Sequence, residues 1–351
     1  MSFASASSST TPTKMTIMKF VDIGANLMDD RYTKGEYFGK PRHEPDFDQV
    51  LERSWAAGVT HLILTAGTLE ESRRTLQVVR EYRAKHGKNG LFLACTVGVH
   101  PTRCQQEFVD NPAEAKSNNS GEGGAATSAD EVLQALREVA QDGIQDGCIV
   151  ALGEIGLDYD RLQFAPKDVQ AEFLRRQFAT FLHTSTGDVV ASLPLFLHNR
   201  SVGRDLLDEL KRQKEETKID LKGVVHSFDD TLELAQEFID LGFYIGLNGC
   251  SLKTKENLEV VKELPLSSIL LETDCPYCEI KATHAGFEHI QTTFEKKPDK
   301  KFVMGLGVKG RSEPNQIIQV AEVIAGVKDI PVEEVANVCY QNSMNLYGFS
   351  T

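Results

Sequence analysis

Eight short apolar runs rich in β-branched residues recur along the chain, each followed by a stretch with helical spacing. That alternation limits the possible folds more than any other feature. The runs are Phe20–Ile23, Leu62–Thr65, Phe92–Val97, Cys148–Leu152, Leu193–Leu197, Gly223–Val225, Phe243–Leu247 and Ser268–Leu271. Continuous apolar runs of this length suit strands buried on both faces, as in a parallel sheet covered by helices. Between them apolar residues repeat every three or four positions, as in Phe47, Val50, Leu51 and Trp55, or Val132, Leu133, Leu136 and Val139. That spacing gives a helix one apolar stripe to lay on the sheet. Pro314, ahead of Ile317, Ile318, Ala321 and Ile324, starts the eighth helix, because its fixed φ suits a first turn. Eight strands alternating with eight helices predict a closed (β/α)8 TIM barrel rather than an open sheet. A last helix, Val332–Leu346, is expected to pack outside it.

The 351 residues would allow two domains by length alone, but α/β barrels use this length as one. One domain is therefore expected over residues 20–349. Met1–Lys19 is rich in Ser and Thr and lacks acidic residues and a signal-peptide apolar core, so it reads as a disordered extension. Asp110–Ser128, rich in Asn, Ser, Gly and Ala, predicts a surface loop. Pro276–Arg311 predicts a long loop after the eighth strand, placed to act as a lid over the strand ends. No apolar run approaches the roughly 18 residues that cross a bilayer. Seven cysteines, an odd number scattered along the chain, do not make a disulfide framework and point to a reducing, intracellular compartment, cytoplasm or nucleus. Cys275-Pro276-Tyr277-Cys278 has the spacing of a redox pair, but its flanks lack the strand and helix such a pair needs. The redox reading is set aside.

The formal charge is −13, the wrong sign for a module that binds nucleic acid through a basic face. An acidic chain can still act on phosphodiesters if a bound cation brings the positive charge.

In a barrel the chemistry gathers at the carboxyl ends of the strands. Those ends read Asp22, Thr65, His100, Glu154, His198, His226, Asn248 and Asp274. One histidine there would ordinarily be structural. Four imidazole and carboxylate groups on one rim would be costly to bury unpaired, whereas a divalent cation satisfies them all. Glu154, His198, His226 and Asp274 are therefore the candidate metal ligands. Glu154 is expected at the centre, and Asp274 to accept a proton from the attacking water. His100 is the candidate for phosphate contact or proton transfer. Arg200 and Arg311 are candidates for stabilising charge on the substrate's oxygens, against the alternative of a plain salt-bridged arginine, and Asn26 joins them as a substrate-binding candidate. Glu272 is expected to support the site or point away.

At these residues the chain resembles the TatD family of metal-dependent deoxyribonucleases, in its eukaryotic branch, from about Phe20 to Phe349. The matching segments are Asp22-Ile23-Gly24-Ala25-Asn26-Leu27, Gly98-Val99-His100-Pro101, Gly153-Glu154-Ile155-Gly156-Leu157-Asp158, His198, His226-Ser227-Phe228, Glu272-Thr273-Asp274 with Pro276-Tyr277, Arg311-Ser312-Glu313-Pro314 and Asn342-Ser343. Their order and spacing together carry the resemblance. It implies a TIM barrel and a divalent metal, commonly magnesium, with manganese or zinc as alternatives and one or two ions per chain. It also implies hydrolysis of DNA, as single strands or duplex ends, in the 3′-to-5′ direction, and metal positions at Glu154, His198, His226 and Asp274. A monomer that binds no membrane is expected. Many relatives carry a His-x-His pair on the first strand, where this chain has Asp22 and Gly24, which leaves the metal count open. Two other readings are a barrel hydrolase acting on an amide, lactone or small phosphoester, and a catalytically silent scaffold.

Overall fold

Each apolar run becomes a strand, and each strand pairs in parallel with the next one along the chain. The computed structural model describes residues 18–87, 90–110, 128–183 and 187–349. The expected N-terminal extension up to residue 17, and residues 111–127 of the expected surface loop, lie outside these. The strands are β1 (Phe20–Ala25), β2 (Val59–Leu64), β3 (Phe92–Val97), β4 (Ile149–Asp158), β5 (Leu195–Arg200), β6 (Gly223–His226), β7 (Phe243–Leu247) and β8 (Ile269–Leu271). Around them run α1 (Phe47–Ala56), α2 (Leu69–His86), α3 (Ala129–Gln145), α4 (Lys167–Leu182), α5 (Asp205–Thr217), α6 (Leu232–Leu241), α7 (Lys255–Glu263), α8 (Ile317–Lys328) and α9 (Val332–Tyr347).

Local chemistry fixes the helix ends. The Thr68 hydroxyl accepts from the Glu71 N–H at 3.0 Å to start α2, and Ser128 and Glu131 form a reciprocal capping box at the start of α3. The barrel closes where the chain beyond β8 meets β1. The Asp274 N–H donates to the Gly24 carbonyl at 2.9 Å, and the Asn26 N–H donates to the Cys275 carbonyl at 2.7 Å. Among the described residues no helix is long and apolar enough to cross a membrane.

Two apolar clusters divide the core. The larger lies between strands and helices; the smaller joins Val21, Ile23, Ile63, Phe196, Val224 and Leu270, and Met344 and Leu346 of α9 pack with it. Successive residues of a strand face opposite ways. The residue two positions beyond an interior filler therefore also faces inward, but nearer the carboxyl mouth. Phe196 leads to His198, Val224 to His226 and Leu270 to Glu272. The packing pattern itself aims these side chains at a common centre.

Two sequence expectations change. β1 runs on to Ala25, so Asp22 sits mid-strand and not on the rim. The excursion after β8 is not a lid. It supplies only Tyr277 and Cys278 to the cleft at the barrel mouth, and the rest braces the body. Phe302 stacks on His43 with ring centroids 4.3 Å apart, and the Gln291 and Thr292 amides donate to buried Glu322. The element that does reach the cleft wall is a small hairpin after β1, pairing Glu36–Tyr37 with Lys40–Pro41.

Candidate active site

Glu154 sits where β4 breaks register, between Leu152 and Ile155. Gly153, before it, has φ +156°, and a Cβ there would lie 2.3 Å from the Phe196 carbonyl oxygen. Only glycine fits, and the close approach lets Glu154 lean across to β5 and β6. There His198 and His226 are paired side by side in the sheet register. Glu154 Oε1 lies 2.7 Å from His198 Nδ1 and 2.7 Å from His226 Nε2, and those two nitrogens are 3.2 Å apart. His100 Nε2 is 3.3 Å from the same oxygen.

The far nitrogen of each ring decides its tautomer. His198 Nε2 is 3.1 Å from Asp158 Oδ2, and His226 Nδ1 is 3.6 Å from Glu272 Oε2. A ring N–H turned toward Asp158 would leave the His198 Nδ1 lone pair facing Glu154. Outer carboxylates hold metal-binding histidines in this way. His226 Nδ1 faces Glu272 beyond hydrogen-bond distance, so its ring is oriented by charge and not by a hydrogen bond. His100 differs: its Nδ1 accepts the Thr102 N–H at 3.1 Å, so its ring proton sits on Nε2 and points inward as a donor.

The charges agree with the geometry. Burial would raise the Glu154 pKa, but the imidazoles of His226, His100 and His198 outweigh it and hold the carboxyl well below its usual range. Burial would likewise lower His226, yet Glu154 and Glu272 hold it well above the usual imidazole range. The site demands positive charge at one point. A proton on His226 answers that demand, and a divalent cation ringed by Glu154, His198 and His226 would answer it better; their donor atoms lie mutually within 4.8 Å. The donor set therefore fits such an ion.

Asp274 shares the cleft but stands apart from that trio. Its Oδ1 accepts from Asn26 Nδ2 at 2.8 Å and its Oδ2 from the Cys278 thiol at 3.2 Å. Burial first, then Glu272 and Glu154, push its pKa up to about 6. Asn26 and Arg200 also line the cleft, with Arg200 Nη1 3.6 Å from Asp158 Oδ2. Arg311 does not. It is fully buried, bridging Asp46 at 2.6 Å and Glu313 at 2.8 Å, so the salt-bridged alternative describes it. A guanidinium sealed behind two carboxylates has no face left for a substrate.

Asp22 also turns inward on the fold. Its Oδ1 accepts the Thr273 and Gly24 amides at 3.0 and 3.3 Å, and its Oδ2 meets the Thr273 hydroxyl at 2.6 Å. A Cβ on Gly24 would lie 2.8 Å from Glu272 Oε2, so the carboxylate behind His226 fills the space that a side chain at 24 would need. Burial raises the Asp22 pKa from 3.8 to about 8. The folded state thus prefers the protonated form. The associated stability is complete below pH 3.8 and is lost as pH rises through about 8. Asp22→Asn keeps the acceptor and supplies a permanent N–H to Thr273. Its melting temperature is expected to fall less than that of wild type between about pH 5 and about pH 9; parallel curves would refute the assignment.

The sequence reading passed over Asp158 and several arginines of the cleft wall. Asp158 lies four residues beyond Glu154 in the same strand, a spacing that could have revealed it. Of the two expectations for Glu272, the geometry matches the supporting one: its carboxylate stands 3.6 Å behind His226. Arg74, Arg103 and Arg161, from α2 and the segments after β3 and β4, line the cleft with Arg31 and Arg200. These arginines share the lining with six carboxylates, Asp29, Asp30, Glu36, Glu71, Glu154 and Asp274, and their meeting follows no linear motif. The CxxC pairing does not form either. Cys275 is fully buried, while Cys278 Sγ lies 2.8 Å from Cys250 Sγ.

The chain is similar to known proteins over nearly its whole length. The family model described as TatD related DNase matches residues 21–348. Deoxyribonuclease Tat-D of Schizosaccharomyces pombe is 37% identical over 331 residues, covering 94% of this chain and 96% of that protein. A crystal structure of a TatD family hydrolase from Entamoeba histolytica superposes with a TM-score of 0.80 at 35% identity, covering 94% of this chain and 98% of that one. A structure from Saccharomyces cerevisiae described as an uncharacterized amidohydrolase gives 0.79 at 30% identity, covering 94% and 100%. Matching family model, relatives and structures agree with the geometry at the barrel mouth, and the chain belongs to the TatD-related deoxyribonuclease family.

Proposed function

We propose that the chain hydrolyses DNA phosphodiester bonds, working 3′ to 5′ from single-stranded ends or duplex ends, with one divalent cation held by Glu154, His198 and His226. One observation carries the reading: two imidazole nitrogens and a carboxylate oxygen meet in a cleft of about 960 Å³, whose wall sets five arginines among six carboxylates. With a cation bound at the trio, these arginines would have phosphates to meet, and most small neutral substrates would have no use for them.

When bound, the cation supplies Lewis acidity to the phosphate and to water. The chain's own residues do the rest. Asp274, with its raised pKa, takes the proton of the attacking water and is held in place by Asn26. His100 offers its Nε2–H to a phosphate oxygen, and Arg200 adds charge beside it. Asp158, 3.1 Å from His198 Nε2, keeps that ring in the tautomer that leaves its other lone pair inward, and the Glu272 carboxylate backs His226. A second ion would find no donor on β1, since Gly24 has no side chain and both oxygens of Asp22 are engaged, but His100, Asp158 and His198 form a second group of donors mutually within 4.8 Å. Magnesium is the ion the family points to, although imidazole donors bind manganese and zinc more tightly.

Digestion of end-labelled oligonucleotides under magnesium, manganese and zinc titration tests this reading. The expected result is metal-dependent cleavage that removes a 3′ label first. Arg200→Ala should raise KM several-fold and flatten the dependence of KM on salt. Hydrolysis of a lactone or amide without any cleavage of DNA would overturn the proposal.

A further inference from the structure

The hairpin on the cleft wall carries a residue that folding does not explain. Phe38 and Gly39 form its two-residue turn with φ of +54° and +70°. Two positive φ values in succession are the signature of a turn that selects Asn, Asp or Gly. A phenylalanine in that conformation strains its own backbone. Its ring gains nothing in return, because Phe38 is 101% exposed, against 57% for Phe164, the next most exposed large apolar residue among the described residues. Asparagine would serve the fold better on both counts.

The hairpin itself is well anchored. The Tyr37 ring meets His43 edge-on at 5.5 Å, and His43 stacks on Phe302. Phe38 is thus held out on a braced turn, and it lines the same cleft as Glu154 and Asp274. In the same cleft lining, the Tyr277 ring is about half exposed, with one face covered by the Arg31 guanidinium at 4.6 Å and its hydroxyl donating to Asp29 at 3.2 Å.

We propose that Phe38 is a stacking platform for an unpaired nucleobase of the DNA strand whose phosphate lies at Glu154, His198 and His226. The inference rests on the DNA-hydrolysis reading and names its preferred substrate as single-stranded. An aromatic face binds any of the four bases without selecting among them, which suits an enzyme that digests a strand of arbitrary sequence. The ring needs a base outside the duplex, so blunt paired ends are poorer substrates than frayed or single strands.

The test compares wild type, Phe38→Asn and Phe38→Trp on two single-stranded oligonucleotides, one intact and one with an abasic residue moved through the last three positions. Wild type is expected to show a KM about tenfold higher at one abasic position. Phe38→Asn should raise KM about tenfold on the intact strand, leave kcat within about twofold and erase the difference between the two substrates. Its melting temperature should equal or exceed that of wild type, since the turn is relieved. Phe38→Trp should retain the wild-type preference. Equal KM for wild type and Phe38→Asn on intact DNA would overturn the stacking role and leave the nuclease reading intact. No cleavage of either strand by wild type would overturn both.

Discussion

Replacing His226 with alanine is expected to lower DNA hydrolysis by about three orders of magnitude or more, with the barrel still folded. The ring supplies one of two inward nitrogens, and it touches Glu154 at 2.7 Å while Glu272 stands behind it. Its removal would strip the cation of a donor and leave Glu272 facing an empty space where the ring stood. Losing several kcal/mol of charge stabilisation at the phosphate costs roughly one decade of rate for each 1.4 kcal/mol. His198→Ala should behave alike. Asp274→Asn is the informative contrast, because Asp274 lies outside the close trio. It should lose turnover while binding the metal nearly as tightly as wild type. Metal content by plasma mass spectrometry, far-ultraviolet circular dichroism and single-turnover rates separate the cases. Wild-type turnover in His226→Ala would sink the metal assignment. Loss of metal in Asp274→Asn would instead make that carboxylate a ligand.

The largest stability effect is expected at Arg311, far from any chemistry. Its guanidinium is fully buried against Asp46 and Glu313, and Arg53 joins the same two carboxylates at 3.1 and 2.9 Å. The cluster ties the turn ahead of α8 to the start of α1. Arg311→Ala would leave two buried carboxylates with only Arg53 to neutralise them. Breaking a buried ion pair in this manner costs about 3–5 kcal/mol, a fall in melting temperature on the order of 10 °C. Arg311→Lys should recover only part of that, since one ammonium cannot bridge both carboxylates as the fork does. Thermal unfolding and amide exchange in α1 would report the loss. An unchanged melting temperature, with activity reduced, would return Arg311 to the substrate-binding role first considered for it.

The same residue shows where the sequence stops being informative. Arg200 and Arg311 look alike as linear text, each a lone arginine near the end of a run. One lines the cleft and the other is sealed in the interior, because Asp46, distant in sequence, reaches Arg311 and nothing comparable covers Arg200. Asp22 is a second instance. It looked like a rim residue until β1 extended two positions further, which placed it at mid-strand under Thr273. In contrast, the period-two rule needed only the strands. Phe196 with His198, and Val224 with His226, are readable as filler and functional group on one face.

What the sequence determined on its own was the alternation of buried strands and amphipathic helices, hence the closed barrel, and the polar residues at its carboxyl mouth. Those follow from local spacing, since burial on one face or two leaves its period in the text. Only the folded chain decided which of these polar groups meet, which tautomers they hold, and which arginines gather in one cleft. Such contacts join residues tens to hundreds of positions apart, and their strength depends on distances and on exclusion of water, neither of which is written in local order. The exposed ring of Phe38 belongs to both levels. Its identity is plain in the sequence, but the strained turn and the cleft that give it meaning exist only in three dimensions.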